Sequence, residues 1–172
     1  MKTTASFLTA VLAASSLTAA TLEMKPDTYL NMNYAHRHGR HKVLELGDSS
    51  AILSASRHAA GFALLASDRD GDGELTVKFR LLFPDGSVQP LGDAVPVKLR
   101  KDRMLARNLV LTLDDADIAR LMKSESKFNL VPVRVLAEFT GSDGKPLPAL
   151  NDVAAIGFDR GLKPQSPEVS VA

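Results

Sequence analysis

Acidic residues alternate along the segment DRDGDG at residues 68–73, and a glycine closes the run. Calcium takes six to eight oxygen ligands, and carboxylates are among those it prefers. Alternate carboxylates converge on one ion where the chain turns sharply, and glycine permits a turn of that kind. The spacing therefore predicts a calcium site in this segment. The ligands predicted from this spacing are Asp68, Asp70 and Asp72.

The segment resembles the EF-hand calcium loop, D-x-D-x-D-G, over its first nine positions. In that resemblance Glu74 contributes its backbone carbonyl and Thr76 occupies the ninth position. The twelfth position, which is a bidentate glutamate in an EF-hand, is Phe79 here, and a strand pattern rather than a helix follows. The resemblance implies calcium as a cofactor, with a Kd on the order of 10⁻⁴ to 10⁻³ M. The alternative is an acidic, glycine-rich turn whose like charges stay in water.

A second candidate metal site is the histidine cluster HRHGRH at residues 36–41. In an extended chain His36 and His38 share one face, so both imidazoles can reach one zinc or copper ion, and His41 lies close by. The alternative is a positively charged loop whose histidines titrate in water, because the interleaved arginines repel a cation.

Residues 1–20 have the pattern of a secretory signal peptide. Lys2 is followed by a short apolar run, and small residues precede a predicted cleavage after Ala20, to within two residues. The apolar run is too short for a membrane span, so none is expected after cleavage. This pattern predicts a periplasmic or secreted protein. The alternative is an amphipathic N-terminus that is not cleaved.

The composition excludes several classes of function. The chain has no cysteine, which excludes disulfides, thiolate metal sites and cysteine nucleophiles. The net charge is 21 − 20 = +1, so no strong field favours nucleic acid or a membrane surface. Aromatic residues make up only 5%, and tryptophan is absent, which argues against platforms that stack bases or sugars.

Two long segments show the alternation of a half-buried strand. Apolar residues occupy every odd position from 75 to 83 and from 131 to 139, with mostly polar residues between them. The segment 84–87, PDGS, predicts a hairpin turn. Pro132 cannot donate to a sheet ladder, so we expect it at the start of its strand or on an edge. Shorter strands are predicted near residues 42–46, 51–57, 60–66, 88–91, 95–100, 107–113 and 152–158.

One short helix is predicted near residues 114–123, where the period of the apolar residues changes to that of a helix. Asp114 is its predicted N-cap, and Ile118 and Leu121 share its apolar face. About eight strands and one crossover helix predict an all-β fold, an antiparallel β-sandwich that is similar in shape to immunoglobulin domains. The predicted organisation is a signal peptide at 1–20, an extended arm at 21–40, the sandwich at 41–160 and a loose tail at 161–172.

No motif of a known catalytic class is present, which favours a non-enzymatic protein over an enzyme. The first hypothesis is a secreted or periplasmic binding or structural module, part of a cell-envelope or surface assembly, with a protein partner and without nucleic acid. The second is a metal-dependent binding protein that uses the acidic loop or the histidine cluster. The third is a hydrolase on a sandwich scaffold, for which His58 would have to meet acidic residues in a pocket.

Overall fold

A computed structural model describes residues 20–24, 28–30, 42–47, 51–68, 71, 73–101, 103–148 and 151–162. These residues form ten strands and one α-helix. The strands are β1 (Thr21–Met24), β2 (Thr28–Leu30), β3 (Lys42–Gly47), β4 (Ile52–Ser54), β5 (Ala59–Asp68), β6 (Gly73–Leu82), β7 (Val88–Leu99), β8 (Met104–Thr112), β9 (Leu130–Gly141) and β10 (Asp152–Asp159). The helix α1 is Asp115–Met122. The predicted signal peptide up to residue 19, the histidine cluster and residues 163–172 lie outside the described residues.

The strands form two five-stranded sheets that share one core. In the first sheet the order is β1-β8-β5-β3, and β2 also pairs with β8; in the second it is β4-β10-β9-β6-β7. Neighbouring strands are antiparallel except for β4 and β10, which are parallel. The prediction of an all-β sandwich with one short crossover helix is confirmed.

The alternating residues of the two longest predicted strands form part of the core. The odd-numbered residues of β6 from Leu75 to Leu81 and of β9 from Val131 to Phe139 are buried, because successive side chains of a strand point to opposite faces. Pro132 lies near the start of β9, and the pairing of β9 with β6 ends at Arg134, two residues short of it. The proline therefore sits where β9 has a ladder partner on one side only, as its missing N–H requires.

A β-bulge joins two predicted strands into one. Residues 88–91 and 95–99 belong to the single strand β7, which continues through Gly92 at a φ of 66° and ends one residue before the predicted boundary at 100. The register shifts there, from Val77 opposite Val95 to Phe79 opposite Leu91. Glycine adopts a positive φ without the steric cost that other residues meet, so the turn residues at 92–94 mark a bulge rather than a loop.

The segment predicted as an N-terminal arm contributes two strands to the first sheet. β1 pairs with Leu109 to Thr112 of β8, and β2 pairs with the beginning of the same strand. Leu22 and Met24 pack against the core, and Ala20 is buried. The sandwich therefore extends further towards the N-terminus than the sequence pattern indicated. The sequence did not show these strands because four and three residues are too few to show a period.

The helix connects the first sheet to the second. The Asp117 N–H donates to the Asp114 carboxylate at 2.7 Å, which confirms the predicted N-cap. Ile118 and Leu121 are buried, and an eight-residue helix depends on such packing because short helices are marginal in water. No helix of the described chain has the length and apolar character that a membrane span requires.

Candidate binding surfaces

The predicted calcium loop connects the two sheets at one end of the sandwich. Asp68 is the last residue of β5, and Gly73 is the first of β6. Glu74 and Thr76 lie in β6, opposite Lys98 and Pro96 of β7, so these two predicted ligands belong to a regular ladder. The side chain of Asp68 and all of Asp70 and Asp72 lie outside the described residues. Within the described part of the chain, no group of three or more histidine or acidic side chains is placed to hold a metal ion.

The histidine that the hydrolase hypothesis requires lies on the surface. His58 Nδ1 is 3.9 Å from Asp115 Oδ1, and its Nε2 is 3.1 Å from the Ala55 carbonyl oxygen. The Asp115 side chain is 99% exposed. This pair can orient an imidazole, but water reaches both groups, and among the described residues no second acid joins them. The other three histidines, at positions 36, 38 and 41, lie outside the described residues.

A cleft of about 490 Å³ lies between the β6–β7 turn and the C-terminal end of α1. Phe83, Pro84 and Asp85 line one side of it, and the residues that follow Arg120 line the other. The guanidinium carbon of Arg120 lies 4.0 Å from the centroid of the Phe83 ring, a cation–π contact. The Arg120 side chain therefore lines the cleft while it stacks on the Phe83 ring.

Arg120 also binds the turn through charge. Its Nη2 lies 2.7 Å and its Nε 3.1 Å from Asp85 Oδ2, and it also contacts the Ser87 hydroxyl. The Ser87 hydroxyl and N–H donate to Asp85 Oδ1 at 2.5 Å and 2.9 Å. These two donors, followed by Arg120, lower the pKa of Asp85 to about 2. The carboxylate is a structural anchor for the helix, and both of its oxygens are occupied.

The loop between α1 and β9 is organised around one arginine from the end of β10. Arg160 Nη1 donates to the Ser124 carbonyl oxygen at 2.6 Å, and its Nη2 donates to those of Ser126 and Phe128 at 2.8 Å and 2.5 Å. The backbone N–H of Arg160 donates to the Asn129 carbonyl oxygen at 3.0 Å. A planar guanidinium with its fork of donors suits this role, and one cation thereby fixes a segment without regular secondary structure.

The outer face of the second sheet carries an apolar patch. Residues that alternate with the buried ones on β9 and β10 face away from the core, and several of them are apolar. Leu130 is 52% exposed, Val88 49%, and Ile52 and Val153 42% each. We define the apolar outer patch as Ile52, Leu82, Val88, Leu130, Pro132, Leu136, Val153 and Ala155. This patch was not predicted from the sequence. The signal that could have indicated it is the apolar residues at even positions, such as Leu82 and Leu136, because those positions should be polar on a face that meets only water.

An arginine lies inside this patch. Arg134 is opposite Ala155 on β10 and opposite Leu82 on β6. Arg80 and Glu138 form an ion pair of 3.0 Å further along the sheet, at the polar rim. The surface thus has an apolar area, a cation within it and a polar edge, an arrangement that is typical of the centre and rim of protein–protein interfaces.

The patch is shaped by a glycine on β10. Gly157 pairs with Ile52 of β4 and with Pro132 of β9. A Cβ atom at this position would lie 3.0 Å from Leu130 Cδ1 and 3.9 Å from Ile52 Cγ1. The Leu130 side chain therefore lies across the glycine towards Ile52, which makes the apolar surface continuous over three strands.

Comparison with known proteins gives no match to a protein family or to a curated protein sequence. Solved structures with a similar fold include the following two. One is the N-terminal domain of PorA, with 9% identity, a TM-score of 0.36, and coverage of 70% of this chain and 99% of that one. The other is the BSP domain of a biofilm associated protein, with 6% identity and a TM-score of 0.33. In that comparison 69% of this chain spans 29% of the length of the other protein. At these TM-scores the likeness gives no ground for transferring a function.

Proposed function

We propose that this protein is a non-enzymatic binding module that acts in the periplasm or outside the cell and docks a protein partner through the apolar outer patch. The observation that carries the proposal is the patch itself, with four apolar side chains that are 42% to 52% exposed around a sheet that is otherwise well packed. A contiguous exposed apolar area on a soluble domain marks an interaction surface, whereas single exposed apolar residues need no explanation.

The chemistry of the patch indicates the kind of partner. Arg134 lies among apolar residues, where a docked surface would remove water from its guanidinium. An arginine in that position is stabilised by a carboxylate, which its fork binds in a bidentate way. The partner we propose is therefore a protein with an apolar surface and an acidic residue placed to meet Arg134. A second copy of this chain fits less well, because its own Arg134 would bring a like charge to the contact.

The proposal places the protein in the cell envelope because of the leader pattern at residues 1–20. The metal-dependent alternative keeps the acidic loop as a calcium site that stabilises the connection between the sheets. The two proposals are independent, since the loop connects β5 to β6 whereas the patch is centred on β9 and β10.

The test is site-specific photo-crosslinking in the cells that produce the protein. A photoreactive residue at Val153 lies in the patch, and one at Asn108 lies on the exposed side of β8 in the other sheet and serves as the control. We expect an adduct from position 153 in the periplasmic or extracellular fraction and none from position 108. Arg134→Glu should abolish the adduct, whereas Arg103→Glu, on an exposed loop residue, should leave it unchanged.

Four results would contradict this proposal. Equal adducts from both positions would show contact without specificity, and no adduct from position 153 would show that the patch is not used. An adduct with twice the mass of the chain would identify a second copy as the occupant instead of an acidic partner. Retention of the intact chain in the cytoplasm would contradict the export that the proposal requires.

A further inference from the structure

One buried carboxylate in the described part of the chain lacks a complete set of partners. Asp117 is 6% exposed, and its Oδ2 atom has no hydrogen-bond partner among the described residues. A buried carboxylate oxygen without a donor is costly, so native proteins supply one in nearly every case. The residues around Asp117 indicate which group would donate a hydrogen bond to Oδ2.

Four groups face this carboxylate from the elements around it. The Ala20 backbone N–H donates a hydrogen bond to it, and the Gln89 side chain of β7 lies beside it, although Gln89 Nε2 also lacks a partner at hydrogen-bond geometry. Asp114 repels it, and Arg120 attracts it from the next turn of the helix. Burial is the largest cause that raises the pKa of Asp117 above its ordinary value, and the negative charge of Asp114 is the second. The surroundings are short of positive charge and of donors.

Ala20 is where the described chain and the predicted leader meet. It is 6% exposed and belongs to the hydrophobic core, and β1 begins at the next residue. A cleavage after Ala20 would remove a core residue together with its hydrogen bond to Asp117. A cleavage one residue earlier would keep both, with the small residue Ala19 before the cut and Leu17 in place of Thr18 at the third position back.

We infer that the leader is cleaved between Ala19 and Ala20 and that the Asp117 carboxylate binds the α-ammonium group which this cleavage creates. Hydrolysis adds one water across the peptide bond, so that Ala19 leaves as a carboxylate and the Ala20 nitrogen becomes a protonated amine. The neutral amide N–H beside Asp117 is thereby replaced by a cation with three donors. The inference rests on the export part of the proposed function and goes beyond it, because it assigns a processing site and the receptor for the new N-terminus.

The charge balance agrees with this assignment. A buried ion is tolerated when it is paired and hydrogen-bonded, and an isolated one is not. The ammonium supplies the donor that Oδ2 lacks and the positive charge that offsets Asp114. In the unprocessed chain Asp117 has only neutral donors and a more distant arginine.

The two forms of the chain should lose stability in different pH ranges. In the processed form pairing raises the folded-state pKa of the α-amine above its ordinary value near 7.7 to 8.0. That stability is complete below the ordinary pKa and is lost as the pH rises through the folded one. In the unprocessed form Asp117 has a raised pKa, so its burial opposes folding above that pKa, and stability increases as the pH falls towards 3.8.

The test compares the processed protein with the full precursor. Secreted protein is collected for N-terminal sequencing and intact mass. The precursor carries Ala19→Phe, which places a bulky residue before the proposed cut, and its intact mass must show that the site after Ala20 is not cut either. We expect a mature N-terminus at Ala20. In the processed protein, Asp117→Asn should lower the Tm by about 6 °C or more, since it leaves a buried ammonium unpaired. In the precursor the same substitution should not lower the Tm.

Asp115→Asn is the matched control, because it lies on the same helix with a side chain that is 99% exposed. It should shift the Tm by about 1 °C or less in both forms. If Asp117→Asn does not fold when processed, the wild-type forms still decide the matter, since only the processed one should lose Tm between pH 7 and pH 9.5.

The experiment distinguishes a failure of this inference from a failure of the proposed function. Equal effects of Asp117→Asn in the two forms, or a mature chain that begins at Thr21, would overturn this inference and leave the exported binding module intact. A chain that keeps its leader in the cell would overturn the inference together with the export that the proposed function requires.

Discussion

The contribution of Arg160 to stability is predictable from its hydrogen bonds. Its guanidinium donates to three carbonyl oxygens of the loop between α1 and β9 at 2.6, 2.8 and 2.5 Å. Hydrogen bonds to a charged group contribute about 1.5 to 3 kcal/mol each, but these three share two nitrogens and are partly exposed, so we assign about 3 kcal/mol to the set. For a domain of 150 to 250 residues, Arg160→Ala should therefore lower the Tm by about 6 to 12 °C.

Calorimetry and limited proteolysis together test this prediction. The Tm of Arg160→Lys should lie between those of the wild type and Arg160→Ala, because a lysine ammonium cannot reproduce the planar fork of donors. Trypsin should cleave after Lys127, within the released loop, faster in Arg160→Ala than in the wild type. Arg103→Ala, at an exposed loop position, is the control and should melt within about 1 °C of the wild type. A Tm for Arg160→Ala equal to that of the control, with unchanged cleavage after Lys127, would refute the reasoning.

Three further predictions concern the helix, the turn and the acidic loop. Leu121→Ala should cost about 2 to 5 kcal/mol in a denaturant titration because Leu121 is fully buried, whereas the adjacent Met122→Ala, at a 41% exposed residue, should cost less than about 1 kcal/mol. Carbon NMR should show the Asp85 carboxyl group titrating near pH 2, and Ser87→Ala should move that midpoint towards 3.8. The stability linked to this carboxylate is present above pH 3.8 and is lost as the pH falls to about 2. If the acidic loop binds calcium, millimolar calcium should raise the Tm and Asp70→Ala should abolish the rise; an equal response in Asp70→Ala would contradict the site.

Much of the architecture follows from local patterns in the sequence. The alternation at residues 75–83 and 131–139 determined which faces of β6 and β9 enter the core, since side-chain direction in a strand depends only on parity. The change of period at Asp114 located the helix, and the capping carboxylate is found where its spacing predicts. These features are readable because each depends on residues within a few positions of one another.

The bulge in β7 and the N-terminal strands were harder to predict. The turn residues around Gly92 indicate a break, and only the partner strand β6 shows that the strand continues beyond it. β1 and β2 are too short for a period, and what makes them strands is the free edge of β8. Ladder pairing is a long-range interaction, so a single stretch of sequence does not contain it.

The candidate surfaces show where local information ends. By itself the sequence determined an all-β chain with a leader pattern, an acidic loop and no cysteine chemistry. The tertiary structure decided that Arg134 is surrounded by apolar residues of neighbouring strands, that Arg160 holds a loop more than thirty residues away in the chain, and that Asp117 is buried against Ala20. The physical reason is that exposure, desolvation and charge pairing are properties of neighbours in space, and in a β-sandwich those neighbours are distant in sequence.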